Sequence, residues 1–176
     1  MNLMVKFFCF LLFFILLSCQ QEKKVNFEVK FPKENAKVEK STVNLPGLVD
    51  HPVTILRLDD NQEESYAFYS LYHTRIPNNL KAILQTTPDA PDLLVKTLLS
   101  SLLTGSEVFD CEIKDILHMT HQGYEIHCAA FEGYGFVKGR GFKIDNSLFF
   151  LYAGGEEGSE ESVDKFLNSF RIKKEK

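Results

Sequence analysis

Two cysteines and three histidines are the residues of this chain whose side chains could do chemistry, and they lie close together in the sequence. Exported proteins join paired cysteines in disulfides. Histidines that converge with a carboxylate, such as Glu125, are typical ligands of zinc. A disulfide and a metal site are therefore the two hypotheses to weigh. The residues concerned are Cys111, Cys128, His118, His121 and His127.

A hairpin whose turn spans residues 120–123 separates the two cysteines. With Met119 opposite Tyr124, Cys111 and Cys128 share one face but lie four residues apart, about 13 Å along the strand. A disulfide needs Cα atoms within roughly 7 Å of each other. We therefore expect two free, buried thiols, although a bulge or a different turn would bring the cysteines together. The other members of the shared apolar face are Ile113, Leu117, Met119, Tyr124, Ile126 and Ala130.

The three histidines lack the spacing of a metal site. Glu125 is predicted to face His118, but His121 falls in the turn, and the paired spacing of zinc motifs is absent. We expect solvated histidines and no metal. Their protonation would change the surface charge between pH 5 and 8.

The glycine-rich stretch from Gly133 to Gly141 is a weak candidate for a phosphate-binding loop. Its spacing matches neither of the two common phosphate motifs, and a strand follows where a helix would be required. We expect its glycines to serve a turn and close backbone approach. Lys138 and Arg140 share one strand face, with Lys143 on the other. We expect a solvated face there, with lipid headgroups or an acidic partner as the alternative.

The elements that would position these residues are strands and two amphipathic helices. Alternating apolar residues predict strands, and apolar residues at helical spacing predict helices. The resulting fold class is α+β: an antiparallel sheet, with a four-stranded meander from Cys111 to Ala153, and two main helices packed on it. The predicted strands are 25–31, 53–58, 65–74, 111–119, 124–131, 136–144 and 147–153. The predicted helices are Asp89–Gly105 and a C-terminal helix capped by Ser159 that contains Val163, Phe166, Leu167 and Phe170.

The first nineteen residues have the plan of an export signal. A weakly basic start precedes eleven apolar residues, Phe7–Leu17, which are too few to span a membrane. Leu16-Leu17-Ser18-Cys19 resembles the lipobox of bacterial lipoproteins, which implies cleavage before Cys19 and lipidation of its side chain. The alternatives are an uncleaved hydrophobic anchor and a signal cut by the general peptidase, with Cys19 incidental. Gln20, rather than Asp, follows the cysteine. By the same resemblance, Gln20 favours the outer membrane.

The domain itself resembles the PsbP-like superfamily. The resemblance rests on a helix before a meander and on a closing helix that ends in Phe166-Leu167-Asn168-Ser169-Phe170. It spans about Val25 to Ile172 and implies a fold, but it transfers no catalytic residue. That superfamily includes an extrinsic photosystem II subunit, a Ran-binding import factor and many exported bacterial domains.

We divide the chain into a signal peptide (1–18), a lipidated tether (19–24), a single α+β domain (25–172) and a charged tail (173–176). Its formal net charge of −4 and its lack of a long basic run argue against nucleic-acid binding.

No catalytic motif, cofactor motif or metal motif is apparent. We therefore expect a non-enzymatic envelope lipoprotein, anchored to the membrane through Cys19, that binds an unknown envelope protein. The alternatives are a ligand-binding or hydrolytic domain with a cleft between the sheet and the Leu94–Leu103 helix, and a purely structural surface protein.

Overall fold

A seven-stranded antiparallel sheet dominates the computed structural model, which describes residues 25–33, 36–45, 48–62, 65–86, 93–97, 108–130 and 135–173. Residues 93–97 are also helical. The elements are β1 (Asn26–Glu28), β2 (Lys37–Leu45), β3 (Leu48–Gln62), β4 (Ser65–Arg75), α1 (Asn78–Thr86), β5 (Val108–His118), β6 (His121–Ala130), β7 (Gly135–Ile144), β8 (Ser147–Glu156), α2 (Glu160–Ser169) and β9 (Arg171–Lys173).

The strand order is β2-β3-β4-β8-β7-β6-β5, so β2 and β5 form the two edges. Strands β5 to β8 pair in sequence as a meander, and β4 joins this meander through β8. Because successive side chains of a strand point to opposite faces, the sheet has two apolar faces. Both faces are covered by other parts of the chain.

The face that we call the front is covered by α1 and by residues 93–97. Leu94 and Val95 are buried there against Tyr124, Ile126 and Phe150. Gly141 permits this close contact, because a Cβ at that position would lie 2.7 Å from Cγ1 of Val95. This is the close backbone approach that the glycine-rich stretch predicts.

The opposite face, which we call the back, is covered by α2. Val163, Phe166 and Leu167 are each no more than 1% exposed. They pack on a row of sheet residues that includes Phe149 and Leu151. Full burial of an aliphatic or aromatic side chain contributes about 1.5–3 kcal/mol, so these three residues fix α2 to the sheet.

A two-stranded sheet of β1 and β9 also lies on the back. Asn26 pairs with Lys173 and Phe27 with Ile172, so the two ends of the described chain meet. The Phe27 ring packs against Phe149, with ring centroids 5.2 Å apart.

The predicted fold class, an α+β domain with two main helices packed on a sheet, is wrong. Of the described residues, 66% lie in strands and 18% in helices, and the described helices are few and small. The sequence predicts only residues 53–58 of β3 as a strand, and it predicts no strand at β2. The exposed residues 37–42 of β2 are mostly polar and lack the apolar alternation that would indicate a strand. Of the predicted helix Asp89–Gly105, only residues 93–97 lie among the described residues, and they are helical.

Candidate interaction surface

The hairpin of β5 and β6 turns over two residues, Met119 and Thr120, instead of four. His118 pairs directly with His121, and Met119 adopts a positive φ of 57°. Gly123, assigned by the sequence to the turn, lies inside β6. A Cβ at Gly123 would lie 2.5 Å from the Phe142 ring, so glycine is required here by packing.

This shorter turn moves the register by four residues and brings the two cysteines together. Cys111 and Cys128 form a disulfide with their Cα atoms 4.1 Å apart, so the prediction of two free thiols is wrong. The pairing is irregular between Phe109 and Glu112, and Asp110 there has a φ of 51°. A bulge and a different turn, the two conditions named for pairing, are thus both present.

The apolar face predicted for this hairpin is buried on one strand only. Tyr124, Ile126, Cys128 and Ala130 of β6 are each no more than 4% exposed. Along β5, Ile113 is 40% exposed, Leu117 is 74% exposed, and Met119 in the turn is 58% exposed. We call Ile113, Leu117 and Met119 the edge strip.

The helical segment 93–97 explains why β6 is covered and the edge strip is not. Lys96 lies over the ring of Tyr124, with its Nζ 4.4 Å from the ring centroid. The same Nζ is 3.9 Å from a carboxylate oxygen of Asp115 on β5. Within the described residues 93–97, the buried apolar side chains pack with β6, and Lys96 is the side chain that reaches Asp115 of β5.

The back-facing residues of β5 are attached to the rest of the molecule. Ile116 packs on the back core. His118 donates a hydrogen bond from Nε2 to the carbonyl oxygen of Phe170, at 2.9 Å. Nη1 of Arg171 lies 3.3 Å from the same nitrogen and donates a hydrogen bond to the Phe170 carbonyl at 2.7 Å.

Burial lowers the pKa of His118 below its ordinary value, and the charges of Arg140, Arg171 and His121 act in the same direction. The hydrogen bond to Phe170 opposes this shift. His118 is therefore a half-buried attachment of β5 and not a solvated histidine as predicted. His127 is exposed, and His121 is partly buried.

Glu125 does not face His118 as predicted. Glu125 pairs across the sheet with Arg140, whose Nε lies 2.6 Å from its carboxylate. Among the residues that the structure describes, no three histidine, cysteine or carboxylate side chains are placed to hold a metal ion.

Lys138 and Arg140 share one face of β7, as predicted, and that face is the back of the sheet. The prediction of a solvated face there is wrong. Lys138 binds Asp164 of α2 at 2.7 Å, and Arg140 donates to the Asn168 side chain at 2.9 Å. Both cations therefore fix α2 to the sheet. Lys143 is partly buried on the opposite face of β7, and residues 135–141 of the glycine-rich stretch belong to that strand.

An open groove of about 620 Å³ runs between β1 and the outer side of α2. Charged and polar side chains of both signs line it: Glu28, Lys30, Glu161, Asp164, Lys165, Asn168, Ser169 and Arg171. Sequence reasoning missed this groove and the exposure of the edge strip. The residue pattern of a single strand does not show whether other elements of the fold will cover its apolar face.

Comparison with models of protein families finds no match for this chain, and comparison with curated proteins finds none. Among the described residues, no helix has the length and apolar character needed to cross a membrane. Cys19, the predicted lipidation site, lies outside the described residues, as do the signal peptide and the tether.

Proposed function

We propose that this chain is a lipid-anchored protein of the bacterial envelope that binds a protein partner and is not an enzyme. The anchor rests on the sequence Leu16-Leu17-Ser18-Cys19, with Cys19 as the lipidated residue. Lipidation with two or more acyl chains holds a protein on a membrane stably. Gln20 supports the outer membrane as the location.

The Cys111–Cys128 disulfide supports export. Disulfides persist in oxidising compartments such as the bacterial periplasm and are rare in the cytosol. The bond holds an edge strand to its neighbour, a structural role that requires it to stay oxidised. A disulfide in the folded domain therefore agrees with an export signal at the other end of the chain.

The single observation that carries the binding role is the edge strip. Edge strands are normally protected by charge, by bulges or by a covering element, because their free backbone groups can pair with another chain. β5 has a bulge and a lysine, Lys114, yet its front side exposes Ile113, Leu117 and Met119. An exposed apolar strip on an edge strand of the described sheet suits a partner that adds a strand or lays an apolar segment against β5.

A cleft for a small ligand receives less support. The interface of α2 with the sheet is filled by Val163, Phe166 and Leu167. On the front, Leu94 and Val95 are buried against the sheet, and residues 98–103 of the predicted helix lie outside the described residues.

The test is crosslinking in cells of the tagged protein, followed by mass spectrometry. We expect one envelope protein to be captured by the wild type and by Val38→Lys. Leu117→Lys should capture at least ten-fold less, because a charge would be buried in the contact. Val38 is the matched control, because it is an exposed apolar residue of the other edge strand.

Cys19→Ala tests the anchor separately. The variant should lose acyl labelling and leave the membrane fraction, whereas fractionation of the wild type should find it in the outer membrane. Retention of unlabelled Cys19→Ala on the membrane would contradict the anchor.

Equal capture by Leu117→Lys and the wild type would contradict the role of the edge strip. If neither the wild type nor Cys19→Ala captures a partner, the ligand-binding alternative is favoured.

A further inference from the structure

The backbone of β5 has an outer side whose composition follows from its hairpin with β6. His118 and His121 close a two-residue turn, and such a closing pair exchanges its backbone hydrogen bonds. Alternate residues of a strand bond to opposite sides, so the N–H and C=O groups of Ile113, Asp115 and Leu117 point away from β6. The residues whose side chains lie on the front face therefore also carry the outward backbone groups of β5.

The regular part of β5 runs from Glu112 to His118. The pairing with β6 is irregular before Glu112, and the chain turns after His118. Asp115 is the central residue of this stretch. If two copies of β5 pair antiparallel along its whole length, the two-fold axis passes through Asp115. Residues at equal distances on either side of Asp115 then lie opposite each other.

In this register the front side chains of the two strands are apolar where they meet. Ile113 of each copy lies opposite Leu117 of the other, and in the single chain these side chains are 40% and 74% exposed. Residues directly opposite in an antiparallel pair have Cα atoms about 4.5–5.5 Å apart, so their side chains are in contact. Pairing therefore covers four large apolar side chains, two from each copy.

The back side chains have complementary charges at both ends of the pair. Glu112 lies opposite His118 of the other copy, and Nη1 of Arg171 is 3.3 Å from Nε2 of that histidine. Glu112 binds Lys114 of its own strand at 2.9 Å, but the Glu112 side chain is 65% exposed and Arg171 is exposed too. An accessible acidic group thus meets an accessible basic group at each end.

Like charges meet at the two-fold axis, where Asp115 lies opposite itself. Each Asp115 carboxylate is 3.9 Å from Nζ of Lys96 in its own chain, so two carboxylates and two ammonium groups lie near the axis. Like charges directly opposite on neighbouring strands are destabilising. Removal of the Asp115 charge should therefore strengthen the pairing of two copies.

We propose that the strand added to β5 is β5 of a second copy of this chain, so that the two seven-stranded sheets join across a two-fold axis. This inference rests on the proposed role of the edge strip as a binding surface and identifies its occupant. A two-fold contact needs a surface that complements itself, and residues 112–118 meet that condition on both faces. Addition of a strand to an exposed sheet edge is a common mode of recognition.

The first test introduces single cysteines into the full-length chain in cells and detects disulfides between copies. Asp115→Cys should form a covalent dimer, because residue 115 lies opposite itself within the Cα distance that a disulfide needs. Ile113→Cys and Leu117→Cys should each give about ten-fold less dimer, since equivalent residues there are separated by about 13 Å along the strand. Lys40→Cys, on the other edge strand, is the matched control and should give none.

A non-reducing gel measures the covalent dimer, and mass spectrometry of the joined peptides confirms residue 115 as the site. Reduction should return the dimer to a single chain.

The second test measures self-association of the detergent-extracted chain by sedimentation equilibrium, without a crosslink. Asp115→Asn should lower the dissociation constant about three-fold, because two amides replace two opposed carboxylates. Leu117→Lys should raise it by about ten-fold or more, because a charge would be buried in the contact. Val38→Lys, at the other edge, should leave it unchanged. An unchanged circular dichroism spectrum confirms that each variant keeps its fold.

A wild-type chain that stays monomeric at every concentration, or an Asp115→Cys chain that forms no covalent dimer, would overturn the inference. Equal yields from positions 40, 113, 115 and 117 would also overturn it, because the copies would then meet only by random collision. If Leu117→Lys nevertheless loses capture of a different envelope protein, the proposed function stands with another partner. If no dimer forms and Leu117→Lys captures as much as the wild type, the proposed binding role fails too.

Discussion

The two edge strands of the sheet, β2 and β5, are protected in different ways. Residues 37–42 of β2 are exposed and mostly polar, and Val38 is the one large apolar side chain among them, at 66% exposure. Charged residues on an edge discourage pairing with other chains. β5 instead exposes the edge strip and is joined to the molecule by a disulfide and by His118. The comparison indicates that β2 is an inert edge, whereas β5 is suited to contact another molecule.

The disulfide is the largest difference between the two edges. It closes a loop with a sequence separation of 17 residues. Cross-linking a loop of about this length stabilises a protein by roughly 3 kcal/mol, because it restricts the unfolded chain. Among the described residues, β2 is held by its pairing with β3, and no disulfide attaches it.

Replacing both cysteines, as Cys111→Ala/Cys128→Ala, should lower the free energy of unfolding by about 3 kcal/mol. Urea denaturation measures this change. Hydrogen exchange should also become faster in β5 than in β2, because only β5 loses its covalent connection. As a direct check, the unfolded, unreduced wild type should show no free thiol at Cys111 or Cys128.

A wild type that shows two free thiols at these positions would contradict the register of the hairpin. Equal acceleration of exchange in β2 and β5 would show that the disulfide stabilises the whole domain without a local effect on its edge.

The meander and α2 could be predicted from the sequence because their patterns are local. The apolar residues of α2 at i, i+3, i+4 and i+7 are buried as the helical period requires. The opposite faces of Lys138 and Lys143 also follow from alternation along one strand. These features depend on a single element and need no knowledge of its neighbours.

The cysteine pairing could not be predicted, because it depends on a turn that local rules disfavour. Glycine or asparagine is expected where a tight turn needs a positive φ, and Met119 takes that position. Gly123 appeared to be the turn residue but is required by its contact with Phe142. The predicted and observed registers of the hairpin differ by four residues, which is an even number. The sequence therefore predicts the correct face of the sheet for each residue but the wrong residue opposite it on the other strand.

The exposure of the edge strip could not be predicted for another reason. Ile113 and Ile126 are the same residue type on the same face and lie opposite each other. Ile126 is 2% exposed and Ile113 is 40% exposed, and Ile126 is the one that lies in the front core with Leu94 and Val95. Burial of an edge strand depends on elements far away in sequence.

Met119→Gly is expected to stabilise the β5 edge by about 1 kcal/mol. A non-glycine residue pays roughly 1–2 kcal/mol for a left-handed conformation, and part of that gain is lost to the greater flexibility of glycine when unfolded. Thr120→Gly is the matched control, because Thr120 has no positive φ and should gain nothing. Urea denaturation of both variants measures the change in the free energy of unfolding. Destabilisation by Met119→Gly would show that the Met119 side chain contributes more through contacts than its backbone costs.

The smallest expected effect concerns pH and the attachment of β5 through His118. The pKa of His118 is lowered in the folded protein. At a pH between that lowered pKa and the ordinary value of 6.5, the unfolded chain therefore binds more protons than the folded chain. Stability therefore falls as the pH decreases through 6.5, and the loss ends below the folded pKa. The pKa of His73 is also lowered, by burial and by Arg75, and adds to the same loss.

His118→Gln should reduce the loss of stability between pH 7 and pH 5, measured by urea denaturation. Protection against hydrogen exchange, relative to the intrinsic exchange rate at each pH, should fall at pH 5 in β5 but not in β2, because protonation places a positive charge on His118 beside Arg171. If β2 and β5 respond equally, or if His118→Gln keeps the full loss, then His118 is not what distinguishes the two edges. Of the two attachments of β5, only the disulfide would then distinguish it from β2.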